Sequence, residues 1–172
     1  MSVLTRAGPP DDDPELIEPL CVFVDAGLDD RRARHMVRVA RLLYTFWHTG
    51  EVRFLNLAVD PTFVDNTLPR GRPQGPSGPV TASAGFRVAV PDLTCELSEL
   101  LIVCDRIAVR LRFRGHFSGT MNGIAGRGQE IDFVAFDIQH VGEDKITEDW
   151  HLEDNLTFLQ QAELVTIISA SV

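Results

Sequence analysis

The run at 106–116 limits the fold more than any other stretch of the chain. Ile107, Val109, Leu111 and Phe113 fall on every second position, with Arg110, Arg112, Arg114 and His116 on or near the positions between. That alternation is the signature of a half-buried strand with one dry face and one wet face. Glycines at 115, 119, 123, 126 and 128 then punctuate a loop. Two further alternating runs follow, at 132–140 and 145–152, joined by the polar turn Gly142-Glu143-Asp144. Such runs linked by short turns predict a meander of antiparallel strands. After it come Asp154 and a short amphipathic helix containing Phe158, Leu159 and Gln161.

The earlier part of the chain reads as helical. Asp29 or Asp30 caps a helix running to about 48, which Thr49-Gly50 ends. Met36, Val39, Leu43 and Phe46-Trp47 form its apolar stripe, with Arg31, Arg34, Arg38 and Arg41 largely off it. A shorter helix is predicted over 51–59, stopped before Pro61, and then a brief strand at 63–66. The proline-rich segment 69–79 is a loop, either a pocket rim or plain surface. A helix at 80–90 ends at Pro91, and 93–103 is a strand that turns through Cys104-Asp105. Residues 20–24 are apolar and fit either a short strand or an arm against a partner. Helices first, then a sheet, predict an α+β fold: a cone-shaped, curved, mostly antiparallel sheet closed by N-terminal helices over a central pocket. Residues 1–28 are expected as a partly disordered arm and 29–172 as one domain.

The totals exclude several classes. A net charge of −9 and a pI near 4.9 argue against a nucleic-acid partner. Cys21, Cys95 and Cys104 have neither disulfide-framework nor metal-knuckle spacing, and Cys95 and Cys104 are expected as buried thiols. No apolar stretch reaches the roughly 20 residues that cross a bilayer, and no signal peptide is evident, so no membrane partner and a cytoplasmic setting are expected. No metal site, phosphate loop, nucleophile elbow or dinucleotide fingerprint is present.

Several local patterns occur in a recognisable order. They are Pro91-Asp92-Leu93, 105–110, Gly115-His116, Gly119, Gly126-Arg127-Gly128, 137–140, 145–150, Asp154 and Gln161. In this arrangement the chain resembles the SnoaL-like polyketide cyclases, or ester cyclases, of the nuclear-transport-factor-2-like superfamily, from about 30 to 164. The resemblance implies a conical α+β barrel forming a homodimer or homotetramer, with no cofactor and a hydrophobic small molecule as partner. It also implies a general acid/base aspartate after a W-x-x-x-D motif, here Asp154, serving intramolecular aldol ring closure. The inward-facing strand position that is often His or Arg falls on His140. Asn66 stands where a His is common, and Glu143-Asp144 and Gln161-Ala162-Glu163 depart from the usual turn and helix end.

The residues themselves allow a pocket of that kind. If Val134, Phe136, Ile138 and His140 face inward beside Ile146, Glu148 and Trp150, they wall a cavity. A carboxyl group held against Trp and Phe has a raised pKa, which suits Asp154 to removing and returning a proton next to a carbonyl. His140 orients that carboxylate or stabilises an enolate oxygen. Phe136, Ile138, Glu148, Trp150 and Asn66 complete the expected binding surface. The alternatives are an N-cap role for Asp154 and an outward sheet face for Arg110, Arg112 and Arg114, paired with acidic residues. At the level of function they are a non-catalytic binding module, or a hydroxylase-type or hydrolase activity on the same scaffold.

Overall fold

The computed structural model describes residues 13–166. Asp29 opens the first helix by accepting from the backbone N–H groups of Arg31 and Arg32, at 3.0 and 3.1 Å. That satisfies two of the donors a helix start leaves free. Helix α1 (Asp30–Thr49) runs to Gly50, whose φ of 79° makes the left-handed stop. Its apolar stripe, including Met36, Val39, Leu43, Tyr44 and Phe46, is buried. Helix α2 (Val52–Ala58) passes directly into strand β2 (Val59–Asp65). The strand begins before Pro61 rather than after it, because β2 is an edge strand and its register is broken between Val59 and Val64. Helix α3 (Ser77–Ala89) starts three residues earlier than expected. Pro79 sits in its first turn, where no N–H is needed.

The sheet has six strands in the order β1-β3-β4-β7-β8-β2. The four long ones, β3 (Thr94–Val103), β4 (Arg106–Phe117), β7 (Gln129–Val141) and β8 (Ile146–Glu153), are antiparallel neighbours. β1 (Val22–Val24) and β2 lie parallel to β3 and β8 at the two edges, which makes the sheet mixed. A small hairpin of β5 (Thr120–Met121) and β6 (Ile124–Ala125) interrupts the meander, and α4 (Asn155–Gln161) closes it. One sheet face, with Leu97, Leu100, Ile107, Val109, Leu111 and Phe133, packs on the helices. Phe133 anchors that layer. Its ring stacks on Phe113 at 5.3 Å, with Phe86 of α3 at 6.0 Å and Phe158 of α4 at 5.6 Å.

Within the apolar stretch 20–24, Val22–Val24 form the edge strand β1 of this sheet, as one of the two sequence readings has it. The segment before it is held by Arg41 of α1, which is fully buried. Its guanidinium donates to the carbonyls of Ile17 and Leu16 at 3.0 and 3.2 Å and pairs with Glu18 at 2.7 Å. Residues 1–12 of the expected arm lie outside the described residues. Cys95 is buried as expected, but Cys104 is exposed. It occupies the two-residue turn between β3 and β4 with a φ of 53°, a position that points it away from the core. Among the described residues no helix is long and apolar enough to cross a membrane.

Gly119 fixes how α3 meets the end of β4. Its N–H donates to the carbonyl of Ala89 at 2.9 Å, and a methyl group on it would run into the carbonyl oxygen of Val88. Gly119→Ala is expected to cost about 1–3 kcal/mol, typical of overpacking. Urea unfolding measures this, and an unchanged midpoint would contradict the packing described.

Candidate active site

Strand register decides which side chains face the helices. On β7 the buried set is Ile131, Phe133, Ala135, Asp137, Gln139 and Val141, and the alternate set Phe136, Ile138 and His140 faces outward. Neighbours in register share a face, and Arg110 lies beside Phe136, Ile138 beside Trp150, and His140 beside Glu148. The arginines are on the outer face, as one alternative held, so Phe136 and Ile138 are there too. The inward orientation expected for them is therefore reversed.

The structure gathers six of the seven expected site residues, but on the outer face, away from the cavity. His140 contacts Asp105 at 3.0 Å, Thr147 at 2.9 Å and Glu148 at 3.4 Å. Asn66 donates its amide to Glu148 at 3.2 Å. The Arg106 guanidinium lies 5.4 Å from the centre of the Trp150 ring. Phe136 and Ile138 are 52% and 53% exposed. Asp154 is at the surface and caps α4, accepting from the Thr157 N–H and hydroxyl at 3.0 and 2.7 Å. Those bonds hold its carboxylate below the usual range, the opposite of the raised value that a greasy hollow would give. A strand end and a helix start leave that side chain at the cap, not under the sheet.

The cavity lies on the other side, between α1, β2 and the inner faces of β4, β7 and β8. Leu43, Trp47, Phe63, Leu111 and Phe113 form its apolar wall; Asp65, Asp137, Asp149, His151, Glu153 and Arg72 bring charge. The volume is about 40 Å³, well below the roughly 300–1,000 Å³ of common ligand pockets. Arg72 of the proline-rich segment and Pro79 in the first turn of α3 also line it. Gln74 fastens that segment to β2, accepting from the Asp65 N–H at 2.8 Å and donating to its carbonyl at 2.9 Å.

The polar groups form two connected sets. His151 has both ring nitrogens engaged, Nε2 with Asp65 at 3.0 Å and Nδ1 with Glu153 at 2.8 Å. Burial lowers its pKa, but the bond and charge of Glu153, with Asp149 and Asp65, raise it to about 10. It is an imidazolium clamped between two carboxylates. Burial likewise raises Glu153, yet His151 brings it below its ordinary value. Directly across the strand pair from His151 is Asp137, whose Oδ2 accepts from the Tyr44 hydroxyl at 2.8 Å. That hydroxyl in turn accepts from the Gln139 amide at 2.7 Å. Burial pushes the Asp137 carboxyl up to about 6, against the Tyr44 hydrogen bond and the His151 charge. Asp149, also enclosed, is raised well above its ordinary value by burial and then by Asp137. Among the described residues no three His, Cys, Asp or Glu side chains are grouped as metal ligands. Buried carboxyls of displaced pKa beside an aromatic wall can exchange protons with a bound carbonyl compound near neutral pH.

Sequence reasoning missed Tyr44, Asp65, Asp137, Asp149, His151 and Glu153. A signal existed: positions 149, 151 and 153 put three ionisable groups on one face of a strand. A solvated edge gives the same pattern, and only the register with β7 tells them apart.

The SnoaL-like polyketide cyclase family model matches residues 37–162. A proposed polyketide cyclase from Bacillus cereus ATCC 10987 is 42% identical, covers 89% of this chain and 97% of its own, and superposes with a TM-score of 0.81. IdmH, a proposed polyketide cyclase from Streptomyces antibioticus, is 22% identical over 73% of this chain and 96% of its own, with a TM-score of 0.66. AclR, a proposed hydroxylase from Streptomyces galilaeus, is 16% identical over 81% of this chain and 85% of its own, with a TM-score of 0.66. The last two share the fold alone. The search of curated proteins found no match. By extent of match and by identity, this chain belongs to the SnoaL-like polyketide cyclase family.

Proposed function

We propose that the protein is a general acid/base enzyme acting on a hydrophobic, polyketide-like carbonyl compound, with Asp137 rather than Asp154 as the base. The observation that carries this reading is a single carboxyl group. Asp137 lines an aromatic cavity, has a pKa of about 6, and has one oxygen fixed by Tyr44. A base of that strength is largely ionised at neutral pH and still strong enough to take a proton from a carbon between two carbonyls.

In the proposed reaction, ionised Asp137 removes that proton. The enolate carbon attacks a second carbonyl carbon of the same molecule, whose π pair moves onto oxygen and takes up a proton. Atoms balance as an isomerisation, and only proton transfers are asked of the protein. The His151 imidazolium, beside Asp137, offsets the negative charge that passes through the site. Trp47 and Phe113 suit a flat, unsaturated chain. A substrate of polyketide size requires the segment carrying Arg72 and Pro79 to move aside, because the cavity holds only about 40 Å³.

Deuterium loss from the central carbon of a hydrophobic 1,3-diketone, followed by proton NMR, reads the first step without knowledge of the natural substrate. Asp137→Asn is expected to slow enzyme-dependent exchange ~100-fold or more, with an unaltered circular dichroism spectrum. Exchange at the wild-type rate would overturn the assignment. Tight binding of the diketone with no exchange in the wild type would favour a binding module instead.

We further propose that the outer sheet face meets a second copy of the chain. Phe136, Ile138 and Leu152 stand on it at 52%, 53% and 72% exposure, an apolar group in the middle of a long sheet. The flanking pairs Arg110–Glu99 and Arg112–Asp132 leave little net charge to repel a copy. Sedimentation is expected to give a dimer or tetramer for the wild type and a monomer for Ile138→Glu. A monomeric wild type would sink this part of the proposal.

A further inference from the structure

We infer that Asp149 holds a proton in the resting protein, placed between its Oδ1 and the Oε1 of Gln139, and that this proton is shared with Asp137 through Gln139 and Tyr44. Four observations lead there. First, Asp149 Oδ1 and Gln139 Oε1 are both buried and both lack a hydrogen-bond partner among the described residues. An enclosed acceptor without a donor costs free energy. Second, the two residues are direct neighbours across β7 and β8 and both face inward. Directly opposed side chains start from Cβ atoms about 5 Å apart, within reach of each other. Two bare acceptors so placed repel; one proton on the carboxyl makes them a bonded pair.

Third, the direction of the neighbouring bonds is fixed. The Gln139 amide spends Nε2 on the Tyr44 hydroxyl at 2.7 Å, so its Oε1 is the end left for Asp149. The Tyr44 hydroxyl, having accepted that bond, donates its own proton to Asp137 Oδ2 at 2.8 Å. The chain then runs from the Asp149 O–H to the Gln139 carbonyl, from the Gln139 N–H to the Tyr44 oxygen, and from the Tyr44 O–H to the Asp137 carboxylate. Every buried acceptor in it has one donor. Fourth, the cations nearby are committed elsewhere. His151 gives its two N–H groups to Asp65 and Glu153, and the charge of Arg72 acts on Glu153. No cation forms a hydrogen bond to Asp137 or Asp149 among the described residues, and the His151 charge acts on them only across space, so two negative charges on that pair would lie only partly offset in a closed space. The strong upward displacement of Asp149, with Asp137 the milder of the two, agrees with this placement.

A half-turn of the Gln139 amide reverses every donor in the chain and leaves the proton on Asp137. The two carboxyls therefore hold one proton between them in two arrangements. This gives the proposed reaction, on whose reading the following step rests, a closed proton cycle. Asp137 takes a proton from carbon, Asp149 gives one to the new alkoxide oxygen, and reversal of the chain carries the proton back.

Infrared spectroscopy of the substrate-free protein tests the resting proton directly, and its result does not depend on whether Asp137 proves to be the base. At about pH 8, where Asp137 is ionised, the wild type is expected to show a carboxylic-acid carbonyl band that moves to lower frequency in heavy water. The band is expected to persist in Asp137→Asn and to vanish in Asp149→Asn, whose side-chain N–H can still donate to Gln139. In Gln139→Leu, which removes the acceptor, it is expected at higher frequency; this variant locates the proton even if Asp149→Asn fails to fold. Absence of the band in the wild type, its survival in Asp149→Asn, or no displacement in Gln139→Leu would each overturn the inference.

Discussion

Four carboxyl groups share a small hollow with one imidazole, and burial sets the terms on which they coexist. His151 bonds Asp65 and Glu153 directly and reaches the other two carboxyls only through its charge. Asp137 has the Tyr44 hydrogen bond and Asp149 Oδ1 has none, and neither has a cation bonded to it, so the charged form of each is disfavoured. The consequence for stability has a definite sign. Asp137 has a folded pKa of about 6, against about 4 when unfolded. The folded state thus keeps a proton that the unfolded state has lost, and stability falls as pH rises across that interval. The protein carries this cost at the group best placed to act on a carbonyl compound.

The scaffold makes that concentration of charge possible. Phe133, in contact with Phe86, Phe113 and Phe158, seals one end of the inner sheet face. Toward the other end of β7 the inward positions change from Phe133 and Ala135 to Asp137 and Gln139. Tyr44 of α1 reaches across to both polar residues. A single strand is therefore apolar core over one half and polar cavity wall over the other.

Most of the fold was legible in the sequence because its signals are local. Asp29 and Gly50 mark the ends of α1, and the alternation at 106–116 marks β4. Pro61 within an edge strand and Pro79 in a first helical turn shifted boundaries where the tertiary setting tolerated what local rules discourage. The site was less legible for a specific reason. Alternation separates the two faces of a strand but does not say which one turns inward. The more apolar set on β7, with Phe136 and Ile138, looks like the core-facing one. Here it is the outer set, while the ionisable partners line the cavity. Two sequence readings were in fact incompatible. Arginines on the outer face of β4 require Phe136 outside as well, once Arg110 and Phe136 are neighbours. The loop of glycines between the strands hides that register from the sequence. Asp154 followed its bland alternative as an N-cap, since the residue that ends a strand and starts a helix has its carboxylate claimed by the helix.

The proposed chemistry requires Asp137 to be a buried carboxyl tuned toward neutrality. Titration of its side-chain carbon by NMR, in protein labelled with ¹³C at the aspartate carboxyl and assigned with Asp137→Asn, measures this directly. A midpoint near 6 is predicted, moving upward in Tyr44→Phe as the stabilising hydrogen bond is lost. A midpoint at the ordinary aspartate value of about 4 would contradict it.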